Sequence, residues 1–153
     1  MIIEKIATTP KVSIGIPTYN RADLLRRSIE SALGQDYPNI EVLISDNAST
    51  DNTPDICWFY LNTCGSRIKY VRQPVNLGAT ANFSKVLEMA SGEFFMWLGD
   101  DDWIDTSYVR SCVQELLSDP TLALVSGSPQ YYRSGVPVFD GRWFNLLDRK
   151  SVV

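Results

Sequence analysis

Strand-like runs at Val12-Ser13-Ile14-Gly15-Ile16, Glu41-Val42-Leu43-Ile44-Ser45, Ile68-Lys69-Tyr70-Val71 and Phe94 to Leu98 are each followed, across a short connection, by a segment of helical period. That alternation leaves few folds open. Short βα units in series specify an α/β domain with a mainly parallel sheet and helices on both faces. The first helix runs from Ala22 to Leu33, with Leu25, Ile29 and Leu33 on one side. The second opens at Asp51-Asn52-Thr53-Pro54, which offers capping groups and an early proline, and continues through Ile56, Phe59 and Tyr60. The third spans Ala79 to Met89 with Phe83, Val86 and Leu87 inward, and Gly92 is expected to end it. The fourth spans Thr106 to Leu117 with Val109, Val113, Leu116 and Leu117 on one side. Leu122 to Ser126 reads as a fifth strand, and Gln130 to Phe139, broken by Ser134-Gly135, reads as a closing hairpin.

A chain of 153 residues, 44% hydrophobic and 21% charged, is expected to form a single domain over residues 1–153. A net charge of -4 argues against nucleic acid as a partner, because a phosphate backbone needs a basic surface. No apolar stretch reaches membrane-spanning length and no signal-peptide pattern opens the chain, so a cytoplasmic location is expected, with peripheral attachment at the inner face of the membrane left open. Cys57, Cys64 and Cys112 lack paired zinc-ligand spacing and read as reduced thiols. The absence of histidine removes every Ser-His or Cys-His nucleophile and leaves carboxylates as the acid-base groups.

In an open parallel sheet, ligands bind beyond the carboxyl ends of the strands. The distinctive polar residues of this sequence fall there: Thr18-Tyr19-Asn20-Arg21 after the first strand, Asp46-Asn47-Ala48-Ser49 after the second, Gln73 to Gly78 after the third, and Asp100-Asp101-Asp102 after the fourth. Three adjacent carboxylates repel one another unless a cation compensates them, and hard divalent ions such as Mg²⁺ and Mn²⁺ prefer carboxylate oxygens. The alternative is a solvated acidic loop that caps the next helix. An aromatic ring, amides, carboxylates and a cation together suit a nucleotide diphosphate, and neither Gly-x-Gly-x-x-Gly after the first strand nor a P-loop occurs.

Taken in order, Pro17-Thr18-Tyr19-Asn20-Arg21, the run from Glu41 through Asp46-Asn47-Ala48-Ser49 to Thr53, Asn76-Leu77-Gly78, Ala90-Ser91-Gly92-Glu93-Phe94 and Gly99-Asp100-Asp101-Asp102 resemble family 2 glycosyltransferases of the GT-A fold. The resemblance covers roughly residues 10 to 130. It implies a hexosyltransferase-type enzyme that moves a sugar from a UDP-, dTDP- or GDP-sugar to a hydroxyl of a carbohydrate or lipid-linked acceptor, with inversion and with Mn²⁺ or Mg²⁺. By the same resemblance, Pro17, Thr18, Tyr19, Asp46, Asn47, Asn76, Gly78 and Asp100 are donor-binding residues. Asp101 is the direct metal ligand and Asp102 a further one, acting through water. Purely structural roles compete at several positions: Asp46 as the cap of its turn, Tyr19 as packing on the first helix, and Asn76-Leu77-Gly78 as an ordinary turn.

Two departures stand out, since many relatives carry aspartate at the positions of Asn47 and Gly99. Members of the family also continue well past this length, and the catalytic base lies in that further part. The expectation is therefore a donor-binding half without its acceptor half, truncated relative to the full family length, with the general base beyond the C-terminus and homo-oligomerisation as one way to cover the exposed face. Asp140 and Asp148 are the only downstream carboxylates, and neither has the context of a base. A non-catalytic nucleotide-sugar-binding module and a nucleotidyltransferase on a related scaffold are the competing functions.

Overall fold

The computed structural model describes residues 9–133 and 136–138. β1 (Val12–Thr18), β2 (Ile40–Asp46), β3 (Ile68–Arg72) and β4 (Phe94–Trp97) form one sheet in the order β3-β2-β1-β4. Every pairing in it is parallel. Helices α1 (Ala22–Leu33), α2 (Thr53–Cys64) and α3 (Ala79–Glu88) make the crossovers, and α4 (Tyr108–Ser118) follows β4. β5 (Tyr131–Arg133) and β6 (Val136–Val138) pair antiparallel as the expected hairpin, with its Ser134-Gly135 connection outside the described residues.

The two central strands are buried at every position, as a sheet covered on both faces requires. Val12, Ile14 and Ile16 of β1 join Val42 and Ile44 of β2 in one core with α1 (Leu25, Ile29, Ala32), α2 (Cys57, Tyr60) and α4 (Val109, Val113). The opposite face is occupied by α3. A Cβ at Gly15 would overlap Val86 Cγ1 and come within 2.8 Å of the Phe95 ring, so α3 reaches the sheet only because position 15 carries no side chain.

That close approach corrects the expected orientation of α3. Its buried residues are Asn82 and Val86, four apart, while Phe83 and Leu87 are exposed. The helix also closes at Met89, ahead of the expected Gly92. Asn82 is held by three bonds: its Oδ1 accepts from Ser45 Oγ at 2.6 Å, and its Nδ2 donates to the carbonyls of Ser45 (3.0 Å) and Thr18 (3.2 Å). Phe83 turns instead toward Trp97 at the free flank of β4, ring centroids 6.3 Å apart. Phe59 of α2 and Leu117 of α4 are also exposed, while Cys57 with Tyr60 and Val109 with Val113 form the stripe each helix buries.

β1 does not stop at Pro17 but runs on to Thr18. In parallel pairing, alternate residues bond to alternate neighbours, and Gly15 O accepts from Leu98 N on the β4 side. Pro17 shares that side, where the β4 register has already ended at Gly15↔Trp97, so its missing N–H breaks no ladder bond. The fifth strand expected over Leu122 to Ser126 does not form among the described residues. Leu124 is 81% exposed and Gly127 N donates to Tyr108 Oη at 3.2 Å, so the run stays beside α4 without a strand partner; β propensity expresses packing on a pleated surface and makes no strand where none is offered.

At the amino ends of the strands, Glu41 is 2% exposed and fully paired. Lys11 and Lys69 each reach its Oε2 at 2.9 Å, while Ser13 Oγ (2.7 Å), Ser91 N (2.8 Å) and Ser91 Oγ (2.7 Å) donate to its Oε1. Burial opposes ionisation, and these bonds outweigh it, holding the carboxyl far below the ordinary glutamate range. The network ties β1, β2, β3 and the start of β4 together.

Candidate functional site at the carboxyl edge

Parallel order brings all four strand exits to one edge, and the loops there are stitched to one another. Between the first two, Asn47 N donates to Thr18 O (2.9 Å), Asn20 N to Ser49 Oγ (2.9 Å) and Thr50 N to Asn20 Oδ1 (2.7 Å). Asp51 caps two helices at once: its Oδ1 accepts from Thr53 N at the start of α2 (2.9 Å) and its Oδ2 from Ala22 N at the start of α1 (3.1 Å). The tight path puts Asn20 (φ 53) and Ala48 (φ 64) in the left-handed region. Asparagine tolerates that conformation; alanine holds it only under restraint.

Asp46 is wholly buried. Its Oδ1 accepts from Ser49 N (2.8 Å), closing the turn, and its Oδ2 accepts from Tyr70 Oη (3.0 Å) with Arg72 Nε at 3.5 Å. Burial, and then the Asp46 charge, push the Tyr70 phenol well above its ordinary range, so it remains a donor. Asn47, 3% exposed, fastens the second loop to the third: Asn47 Nδ2 donates to Asn76 Oδ1 (2.8 Å), and Asn47 Oδ1 accepts from Leu77 N (2.9 Å). Asn76 Oδ1 also accepts from Gly78 N (2.8 Å), and Gly78 has φ 84, which favours glycine.

The fourth loop supplies the acidic group. The Asp100 carboxyl is 16% exposed, with Arg21 Nε 4.0 Å away. Burial raises its pKa most; the Thr18 hydroxyl lowers it, the Asp101 charge raises it further, and Arg21 and the Tyr19 amide lower it, for a net shift upward. Thr18 Oγ1 is itself buried and makes no hydrogen bond of regular geometry among the described residues, yet it lies close enough to the Asp100 carboxyl to favour its ionised form. Tyr19 beside it is 43% exposed. Asp101 and Asp102 are exposed. A Cβ at Gly99 would lie 2.7 Å from Asp102 Oδ2 and 3.2 Å from Asp101 Oδ1, so both carboxylates lean into the space that Gly99 leaves.

Thr18, Tyr19, Asp100, Asp101 and Asp102 thus share one rim, contiguous through the Thr18–Asn47 bond with Asp46, Asn47, Asn76 and Gly78. Pro17 is buried beneath it in β1. Sequence reasoning placed Arg21 in the first loop without a role; its side chain turns to Asp100. Sequence reasoning missed two members of this rim: Tyr70 and Arg72 hold Asp46 from β3, where the Asp46↔Arg72 register points to Arg72.

The sequence profile of glycosyl transferase family 2 matches residues 13–150. The GalNAc(5)-diNAcBac-PP-undecaprenol beta-1,3-glucosyltransferase of Campylobacter jejuni is 36% identical over 107 residues, 69% of this chain and 34% of its own length. Abequosyltransferase RfbV of Salmonella typhimurium is 40% identical over 93 residues, 60% of this chain and 28% of its own length. Among solved structures, the mannosyltransferase PcManGT from Pyrobaculum calidifontis in complex with GDP-Man and Mn²⁺ superposes with a TM-score of 0.68 at 29% identity, covering 76% of this chain and 34% of that one. S. aureus TarS in complex with UDP gives 0.65 at 28% identity, covering 71% and 32%. The chain spans about a third of the length of these relatives. The parallel sheet and its crossovers are those of the GT-A fold, and the chain belongs to glycosyl transferase family 2.

Proposed function

We propose that this chain forms the donor-binding part of an inverting glycosyltransferase that passes a sugar from a nucleotide-diphosphate donor to an acceptor hydroxyl. The observation that carries the proposal is the rim itself: a largely buried, incompletely compensated Asp100 carboxyl and a Thr18 hydroxyl without a regular hydrogen bond among the described residues sit beside the exposed Tyr19 and two open carboxylates. Groups left in that condition at a sheet's carboxyl edge have a ligand as their natural partner.

In this role the Tyr19 ring offers a face for the nucleotide base, and Asp100 with Thr18 accepts hydrogen bonds from ribose hydroxyls. Asp46 and Asn47, whose polar atoms already bond within the protein, act by fixing the shape of the base pocket. Among the described residues, no group of three or more His, Cys, Asp or Glu side chains is arranged to hold a metal ion. Asp101 and Asp102 nonetheless fit Mn²⁺ or Mg²⁺ by chemistry, since hard cations are commonly held by one or two carboxylates, with donor phosphates and water completing the shell. When bound, such an ion neutralises charge on the departing nucleotide diphosphate. Relatives point the same way: the PcManGT structure holds GDP-Man and Mn²⁺, and TarS holds UDP. The acceptor is a carbohydrate or lipid-linked hydroxyl, the latter in keeping with the name of the C. jejuni relative.

Calorimetric titration of the chain with UDP and with GDP, each with and without Mn²⁺, tests this. Metal-dependent binding that falls at least about tenfold in Asp101→Asn supports the reading. Equal affinity with and without Mn²⁺ in both proteins sinks it. Release of nucleotide diphosphate from a sugar donor separates transfer or hydrolysis from bare binding.

A further inference from the structure

We propose that Ser28, on the inward face of α1, is a positioning residue for the Asp101 and Asp102 carboxylates, an inference that rests on the cation-assisted donor binding proposed above. Ser28 is fully buried, and its Oγ lies 2.7 Å from Asp102 O and 3.0 Å from Gly99 O. Those two carbonyls belong to the first and last residues of the acidic turn, which the backbone closes by Asp102 N donating to Gly99 O at 3.2 Å. A hydroxyl has one proton, so it bonds one carbonyl at a time, and the other competes for it. In either state the turn's two ends are drawn to the same point on α1.

The carboxylates depend on that point. Asp102 Oδ2 and Asp101 Oδ1 both lean over Gly99, at 2.7 and 3.2 Å from where its Cβ would be, so both are carried on the turn whose ends, Gly99 and Asp102, Ser28 holds. The rest of the loop is fixed separately. Ser31 Oγ accepts from Ile104 N (3.3 Å), Gln35 Nε2 donates to Asp105 O (2.7 Å), Gln35 Oε1 accepts from Val109 N (2.9 Å), and the Arg27 guanidinium stacks 3.1 Å from the centroid of Trp103. Ser28 and Ser31 lie three apart on α1, and Gln35 follows just past its end. Of the three, only Ser28 touches the acidic turn. The same helix begins at the Tyr19 loop, whose Arg21 faces Asp100. One rigid element therefore locates the donor loop and the carboxylate pair relative to each other.

The test is Mn²⁺ affinity of the full chain, read by electron paramagnetic resonance of free Mn²⁺ in the presence of UDP or GDP, alongside nucleotide affinity without metal. Ser28→Ala is expected to weaken Mn²⁺ about five- to tenfold, the equilibrium worth of one hydrogen bond, and to leave metal-free nucleotide affinity unchanged. Ser28→Cys, which keeps the shape and a weak donor, falls between and carries the test if the alanine variant does not fold. Ser13→Ala removes a buried hydroxyl at the opposite end of the sheet; it should lower Tm and leave Mn²⁺ affinity at the wild-type value. Wild-type Mn²⁺ affinity in the Ser28 variants, or an equal loss in Ser13→Ala, overturns the positioning role while the donor-binding reading stands. Absence of nucleotide-dependent Mn²⁺ binding in the wild-type chain overturns both, and is seen before any variant is made.

Discussion

The two ends of one sheet use the same kind of residue to opposite effect. At the amino ends, Glu41 is buried and met by two lysines, two serine hydroxyls and an amide, so its charge is fully compensated. At the carboxyl ends, Asp100 is also largely buried, yet among the described residues the cation paired with it stands at 4.0 Å and a second carboxylate follows in sequence. The carboxyls consequently shift in opposite directions, Glu41 down and Asp100 up. One end has spent its electrostatics on cohesion, and the other holds them in reserve for something that binds. Burial alone does not tell a structural acid from a functional one; the completeness of its partners does.

Breaking the compensated end should have the largest effect. Glu41→Ala strands Ser13, Ser91 and two lysines and is expected to cost about 3 kcal/mol of unfolding free energy, measured by urea denaturation, with metal-dependent nucleotide affinity unchanged at low temperature. A loss confined to nucleotide binding would show that the two ends are not separable. Acid titration sharpens the contrast without mutation. A depressed pKa means that Glu41's contribution is complete above about pH 4.3 and lost as pH falls below it. The wild-type urea midpoint should therefore drop steeply below that pH, and the drop should be shallower in Glu41→Ala.

Asp100 carries the opposite sign. Its raised pKa means that the carboxylate opposes folding as pH rises through its range, so Asp100→Asn should stabilise the free chain by about 1 kcal/mol at neutral pH while weakening nucleotide binding. A destabilised variant would place Asp100 with the cohesive acids. Smallest is Ala48→Gly. Relief of the left-handed strain at φ 64 is offset by the added freedom of glycine in the unfolded chain, so the net change should stay within about 0.5 kcal/mol by thermal melting.

Much of this architecture was legible in the residue order. Alternation of β-rich and helical runs gave the parallel sheet, and the polar residues after each run gave the rim, because both follow from local periodicity and chain direction. Facing was legible only where apolar residues fill it. At Gly15 the sheet already carries the Phe95 ring and takes Val86 from α3, with Asn82 one turn earlier, so apolar content led to Phe83 and Leu87 instead. Roles within the rim were hidden for a similar reason. Asp46 and Asn47 look like ligand groups in sequence, whereas their partners Tyr70, Arg72, Asn76 and Leu77 come from a strand and a loop more than twenty residues away.

The order β3-β2-β1-β4 places β1, the first of these four strands in sequence, at the interior of the sheet. Its flank toward β2 is available after about 30 residues of further chain, while its flank toward β4 stays bare until Phe94 to Trp97 emerge. Contacts that distant in sequence close slowly. A ribosome-bound chain must therefore carry an unpaired β1 edge from the completion of Thr18 until Phe94 to Trp97 are made, and that interval is when chaperone capture or mispairing with another nascent chain would compete with folding.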